Sequence, residues 1–162
     1  MKNVVKLAKF FDEELNSNLS EVLVTKYQFG EYGLFGKYLV KLTPAGWYKV
    51  VVLKNKDAHE FTTLRNAVTW CTLQHADLGK QARRLQQLDA KLSSLQVEIT
   101  LHKNMSRTST NVYTKQMYRM KLQEDTFQKK QVVNEVNSFI NSSMMIQARK
   151  FDKSKERKFT YR

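Results

Sequence analysis

LGKQARRLQQLDAKLSSLQVEI, residues 78–99, carries the pattern that decides the fold. Leu78, Leu85, Leu88, Leu92, Leu95 and Ile99 recur at intervals of seven, three, four, three and four. That is the a/d rhythm of a helix lying lengthwise on another helix. Gln81, Arg83, Arg84, Gln86, Gln87, Asp89 and Lys91 fill positions between them. The segment reads as an association seam, and two pairings satisfy it: a helix of the same chain, or a helix of another copy. Gln81 occupies the intervening d position, where one polar residue restricts register or oligomer state without choosing between them.

Downstream, Asn104–Thr110 (NMSRTST) is polar and has no apolar period, which predicts a turn. Residues 111–149 then read as a second long helix. Tyr113, Met117, Met120 and Phe127 follow the four–three rhythm with Glu124 as a polar interruption, and Val133, Val136 and Ile140 resume it in a shifted register. Two long helices joined by a short polar link make an antiparallel helical hairpin over 79–148. The last stretch, 149–162 (RKFDKSKERKFTYR), lacks a helical apolar face and is expected to form a basic flexible arm.

Upstream lies the β signal. Tyr32–Leu42 and Trp47–Lys54 are rich in aromatic and β-branched residues, and Thr43-Pro44-Ala45-Gly46 between them has turn chemistry. A hairpin is expected there, with Asn55–Ala58 as a second turn and His59-Glu60-Phe61 as a short third strand. Thr62 or Thr63 can cap a following helix with Leu64, Ala67, Val68, Cys71 and Leu73 on its apolar side and Trp70 on a flank. Residues 3–15 fit a short amphipathic helix, while Leu19–Tyr27 suits helix or strand. Gly79 either ends the capped helix or lets it run into the seam. The fold class is therefore α+β, in three parts. Residues 1–78 form a small antiparallel β-meander with a packed helix, 79–148 a long coiled-coil-like hairpin, and 149–162 the basic arm.

Charge is distributed unevenly along this chain of net charge +13. Residues 1–78 hold 10 Lys/Arg against 8 Asp/Glu, residues 79–106 hold 5 against 2, and residues 107–162 hold 13 against 5. A field concentrated in the last third points to a polyanionic partner, or to a solvated basic helix. Arg149, Lys150, Lys153, Lys155, Arg157, Lys158 and Arg162, interleaved with Phe151, Phe159 and Tyr161, are the candidate polyanion-binding residues. Such side chains neutralise phosphates while rings stack on unpaired bases, and they suit an acidic groove on a protein equally well. No base-reading module is visible, so nonspecific DNA or RNA contact is the form nucleic-acid binding would take.

Catalysis finds no support. His59, His75 and His102 are scattered without carboxylates at metal-ligand spacing, and GEYGLFG lacks the Lys-Ser/Thr of a phosphate loop. Asp12, Glu13 and Glu14 are adjacent, so a helix would splay them apart. Lone Cys71, among apolar neighbours, reads as a buried and inert thiol. No enzyme activity, cofactor or metal is expected. MKNVVKLAKFFDEEL does not read as a secretory signal, and no apolar run reaches the length of a membrane span.

One stretch carries a resemblance. EYGLFGKYLV, GWYKVVVL and FTTLRNAVTWCTL, between Tyr32 and Leu73, resemble small uncharacterised proteins of marine T4-like tailed bacteriophages. The resemblance covers about a quarter of the chain, brings no catalytic motif, and implies a viral protein made in a host cytoplasm, with incorporation into the virion left open. The expectation is a non-enzymatic structural or assembly protein whose partners are itself or other viral proteins and not a membrane. The alternative is a nonspecific nucleic-acid-binding protein of replication or packaging.

Overall fold

Pro44 and Gly46 close the tightest turn that the sequence announces. Gly46 N–H donates to the Thr43 carbonyl (2.9 Å), and the Thr43 hydroxyl bonds the Trp47 backbone from both sides. Around this turn the computed structural model, which describes residues 3–6, 23–28 and 30–142, builds a six-stranded sheet. The strands are β1 (Asn3–Lys6), β2 (Leu23–Gln28), β3 (Glu31–Leu34), β4 (Tyr38–Leu42), β5 (Tyr48–Val52) and β6 (Ala58–Phe61). Each pairs antiparallel with the next in chain order, so the meander is larger than the three strands expected.

Two expectations are corrected by the structure and one open alternative is resolved. Tyr32–Leu42 is not one strand, because Phe35 and Gly36 adopt positive φ (56° and 67°) and fold β3 back on β4. A phenylalanine in that conformation costs roughly 1 kcal/mol. The Phe35 ring lies flat on His75, centroids 4.1 Å apart, which holds the turn against the helix beneath. Asn3–Lys6 pairs with β2 as a strand instead of opening a helix; the rest of that expected helix, 7–15, lies outside the described residues. The Leu19–Tyr27 ambiguity resolves as strand from Leu23 onward. Gly30 joins β2 to β3 at φ 78°, and a Cβ there would sit 2.9 Å from that of Leu42, so only glycine fits without displacement.

Three helices follow: α1 (Leu64–His75), α2 (Gly79–Thr108) and α3 (Val112–Ile140). Thr63 is the cap of α1, its hydroxyl accepting from Asn66 N–H at 3.1 Å. Nine of the twelve α1 residues are buried, polar ones included, because the sheet covers one side and the long helices the other. Trp70 is at the centre and not on a flank; it packs on Tyr38, His59 and Phe61. The α1–α2 break falls at Ala76–Leu78. Asp77 turns left-handed (φ 58°) and Leu78 N–H reaches back to the Leu73 carbonyl at 2.9 Å, the geometry of a glycine C-cap with aspartate in the glycine's place.

The α2–α3 link is shorter than expected. Asn104–Thr108 stay helical, leaving Ser109–Asn111 as the connection, and the Asn111 side chain accepts from Tyr113 N–H and Thr114 N–H to start α3. The two long helices pack on each other as a hairpin, so the α+β architecture stands. One continuous core runs from Leu34, Val40 and Val50 on the sheet, through Val68 and Leu73 on α1, to Leu85, Leu88, Val136 and Ile140 on the hairpin.

Candidate interaction surface

Leu85, Leu88, Leu92 and Leu95 are all buried within the single chain, Leu78 packs at the core's edge, and Ile99 is half-buried. The seam therefore faces inward: its head-proximal leucines contribute to the shared core, and Val132, Val136 and Ile140 of α3 belong to the same cluster. Asp89, one residue past Leu88, fixes this end. Its side chain, 3% exposed, accepts from Thr62 N–H, the Thr62 hydroxyl (2.7 Å) and the Asn66 amide (2.7 Å). Arg65 on α1 donates to Asn137 on α3 (2.7 Å), and burial lowers the pKa of its guanidinium. The hairpin's base is thus tied to α1 from both helices.

From Gln96 outward the inner seam acquires polar contacts around Ile99. Lys129 donates to the Gln96 side chain (2.7 Å), His102 Nδ1 meets the buried Asp125 carboxyl, and Tyr118 lies over His102 with centroids 5.9 Å apart. The α3 stripe that does this runs Tyr118, Leu122, Asp125, Lys129, Val132 and Val136, at unbroken four–three spacing. Apolar counting passes over it because two of its members are charged. Its regular spacing is the signal that identifies it.

Of the α3 residues expected to form the inner face, Val136 and Ile140 are buried in the core and Val133 packs against it, whereas the distal four point away from α2. Tyr113, Met117, Met120 and Phe127 are 85%, 44%, 64% and 61% exposed. At 3.6 residues per turn their stripe lies roughly 140° round α3 from the inner one. Together with Gln116 and Lys121 they border a shallow groove of about 760 Å³. Val97, Leu101 and Met105, at four-residue spacing, add further exposed apolar residues on α2. Exposed single apolar side chains are ordinary, but four at heptad spacing on one helix form a surface suited to another helix. Its edges are basic: Arg119 and Lys130 fall on one flank and Lys121 on the other, all exposed, with Glu124 inside the stripe.

The other sequence candidates are placed as follows. The basic arm with Arg149, Lys150, Lys153, Lys155, Arg157, Lys158 and Arg162 lies outside the described residues, as do Asp12–Glu14. Cys71 is fully buried, and burial pushes its thiol well above the ordinary value. His59 contacts Trp70 and Gln86, and His75 stacks on Phe35, so both pack as structural rings. Among the described residues no group of three or more His, Cys, Asp or Glu side chains is placed to hold a metal ion. No helix among them is long and apolar enough to cross a membrane. A smaller cleft of about 350 Å³ opens between Trp47 and the Gln96–Lys129 pair.

Comparison of the chain with protein-family models, with curated proteins and with solved structures returns no match. The functional reading therefore rests on the surface itself.

Proposed function

We propose that this chain is a non-enzymatic assembly protein that docks onto other proteins through its hairpin, in the viral setting that its phage-like segment implies. The observation that carries this reading is the outer stripe of α3. Tyr113, Met117, Met120 and Phe127 spend exposed apolar area at the spacing of a helix seam, while the neighbouring inner stripe already satisfies α2. The sheet and α1 serve as the base that holds the hairpin, because Asp89 and Arg65 fix both long helices to it.

A photo-crosslinking residue in place of Met120, in the cells that make the protein, tests the reading. A discrete adduct of defined mass is expected, lost when Phe127 is changed to Glu. A cross-linker at exposed Lys54 on the opposite, sheet end serves as control. Absence of any discrete adduct from position 120 refutes the reading.

The second reading, nonspecific nucleic-acid binding, is favoured by the exposed Arg119, Lys121 and Lys130 and by the excess of 13 basic over 5 acidic residues in 107–162. A salt titration of DNA binding decides it. Removing residues 149–162 lowers both affinity and salt slope if the arm neutralises phosphates. No binding at low salt ends it.

A further inference from the structure

We propose that the outer groove of α3 receives an acidic amphipathic helix of a different protein, an inference that rests on the docking reading above. Three properties of the groove select that occupant. Its apolar residues recur at four, three and seven over Tyr113–Phe127, about 21 Å of helix axis, which matches the apolar edge of a partner helix and not the two-residue period of a strand. Two of the four are methionines, whose flexible thioethers conform to varied apolar side chains. Its flanking positions carry Lys121 on one side and Lys130 on the other, with Arg119 further out on the Lys130 side, and these are complemented by glutamates or aspartates at the partner's edge positions.

The same charges argue against a second copy. Two α3 helices laid stripe to stripe in parallel bring Glu124 onto Glu124 of the copy, and laid antiparallel about Met120 they bring Lys121 towards Lys121. Like charges across a helix seam disfavour pairing, as they do at the flanking positions of coiled coils. Glu124 also carries information about register. It sits between Met120 and Phe127 at a seam position, so the partner helix is best matched by one basic or polar residue there.

The test uses the full chain and two synthetic helical peptides of three heptads. Both have leucines at the seam positions; one has glutamates and the other lysines at the flanks. Fluorescence anisotropy of the labelled peptides reads binding. The glutamate peptide binds, and the lysine peptide binds at least about tenfold more weakly. Met120→Gln with Phe127→Gln weakens the glutamate peptide by about tenfold or more, with an unchanged circular dichroism spectrum because both side chains are exposed. Lys121→Glu with Lys130→Glu reverses the peptide preference.

Equal binding of the two peptides overturns the acidic partner. So does a concentration-dependent dimer abolished by Met120→Gln and Phe127→Gln, which assigns the stripe to a second copy. Displacement of the glutamate peptide by duplex DNA, with the apolar substitutions without effect, assigns the surface to nucleic acid. If neither peptide binds while the Met120 cross-link persists, the acidic helix fails and docking stands. If both vanish, docking fails with it.

Discussion

Replacing Asp89 with Ala tests whether the hairpin is anchored to the sheet by one buried side chain. Asp89 Oδ1 takes three donors, Thr62 N–H, the Thr62 hydroxyl and the Asn66 amide, while Oδ2 shares only the Thr62 N–H. Alanine leaves the Thr62 N–H and the Asn66 amide without acceptors in a site that is almost closed to water. Each stranded donor costs about 1–3 kcal/mol, so Asp89→Ala should lose about 3–5 kcal/mol. Asn at the same position keeps its oxygen where Oδ1 stands and retains all three bonds. It should lose about 1 kcal/mol, set by the amide group that replaces Oδ2. Urea unfolding followed by tryptophan fluorescence measures both, since Trp70 lies in the core that the anchor closes. A loss below about 1 kcal/mol for Asp89→Ala, or equal losses for Ala and Asn, refutes the reasoning.

Three other outcomes follow from the same packing. Leu88→Ala should destabilise the monomer by about 2–5 kcal/mol without changing its mass in solution, because Leu88 is a core residue and not a dimer contact. Tyr38 is buried, and burial, with the nearby Cys71 and Asp77, pushes its phenol up to about 12. The folded state therefore holds that proton more tightly than the unfolded chain, so stability is complete below the ordinary tyrosine value and falls as pH rises through the interval up to about 12. The loss amounts to about 1–2 kcal/mol after allowance for residual solvent contact, and Tyr38→Phe should flatten it in denaturation at alkaline pH. His102→Leu strands the buried Asp125 carboxyl and should increase amide exchange in the distal hairpin, whereas His102→Leu with Asp125→Leu restores protection.

How far the sequence could be read depended on whether a residue's neighbours in space are also its neighbours in pattern. The TPAG turn, the strand-forming runs beside it and the capped α1 all follow from local chemistry, and each is present. The β3–β4 turn escaped because Phe35 is no turn former; its positive φ is tolerated where its ring stacks on His75, forty residues later. On α3 two heptad stripes compete. The more apolar one, Tyr113–Phe127, reads as the inner face, but up to Phe127 the hairpin uses the stripe with Asp125, which finds His102 across the seam, and further on Lys129 meets Gln96. Asp89 looked like a solvent-facing member of the α2 surface, since nothing in a four–three pattern records that Thr62 and Asn66 converge on it. The leucine rhythm told of helix packing, and its chain-internal partner became visible only with the sheet in place.

The order of the meander has a kinetic consequence. Every strand bonds to its successor, and α2 meets α3 across the Ser109–Asn111 link, so most pairings close short loops. Chains dominated by such local contacts fold quickly and expose unpaired strand edges only briefly. The Asp89 bonds span 27 residues to Thr62 and 23 to Asn66, and the Arg65–Asn137 bond spans 72. By the loop-closure argument the Arg65–Asn137 latch closes last, on a sheet and a hairpin that have each already formed. A chain emerging from the ribosome can thus complete its sheet before the sequence of α3 has been made.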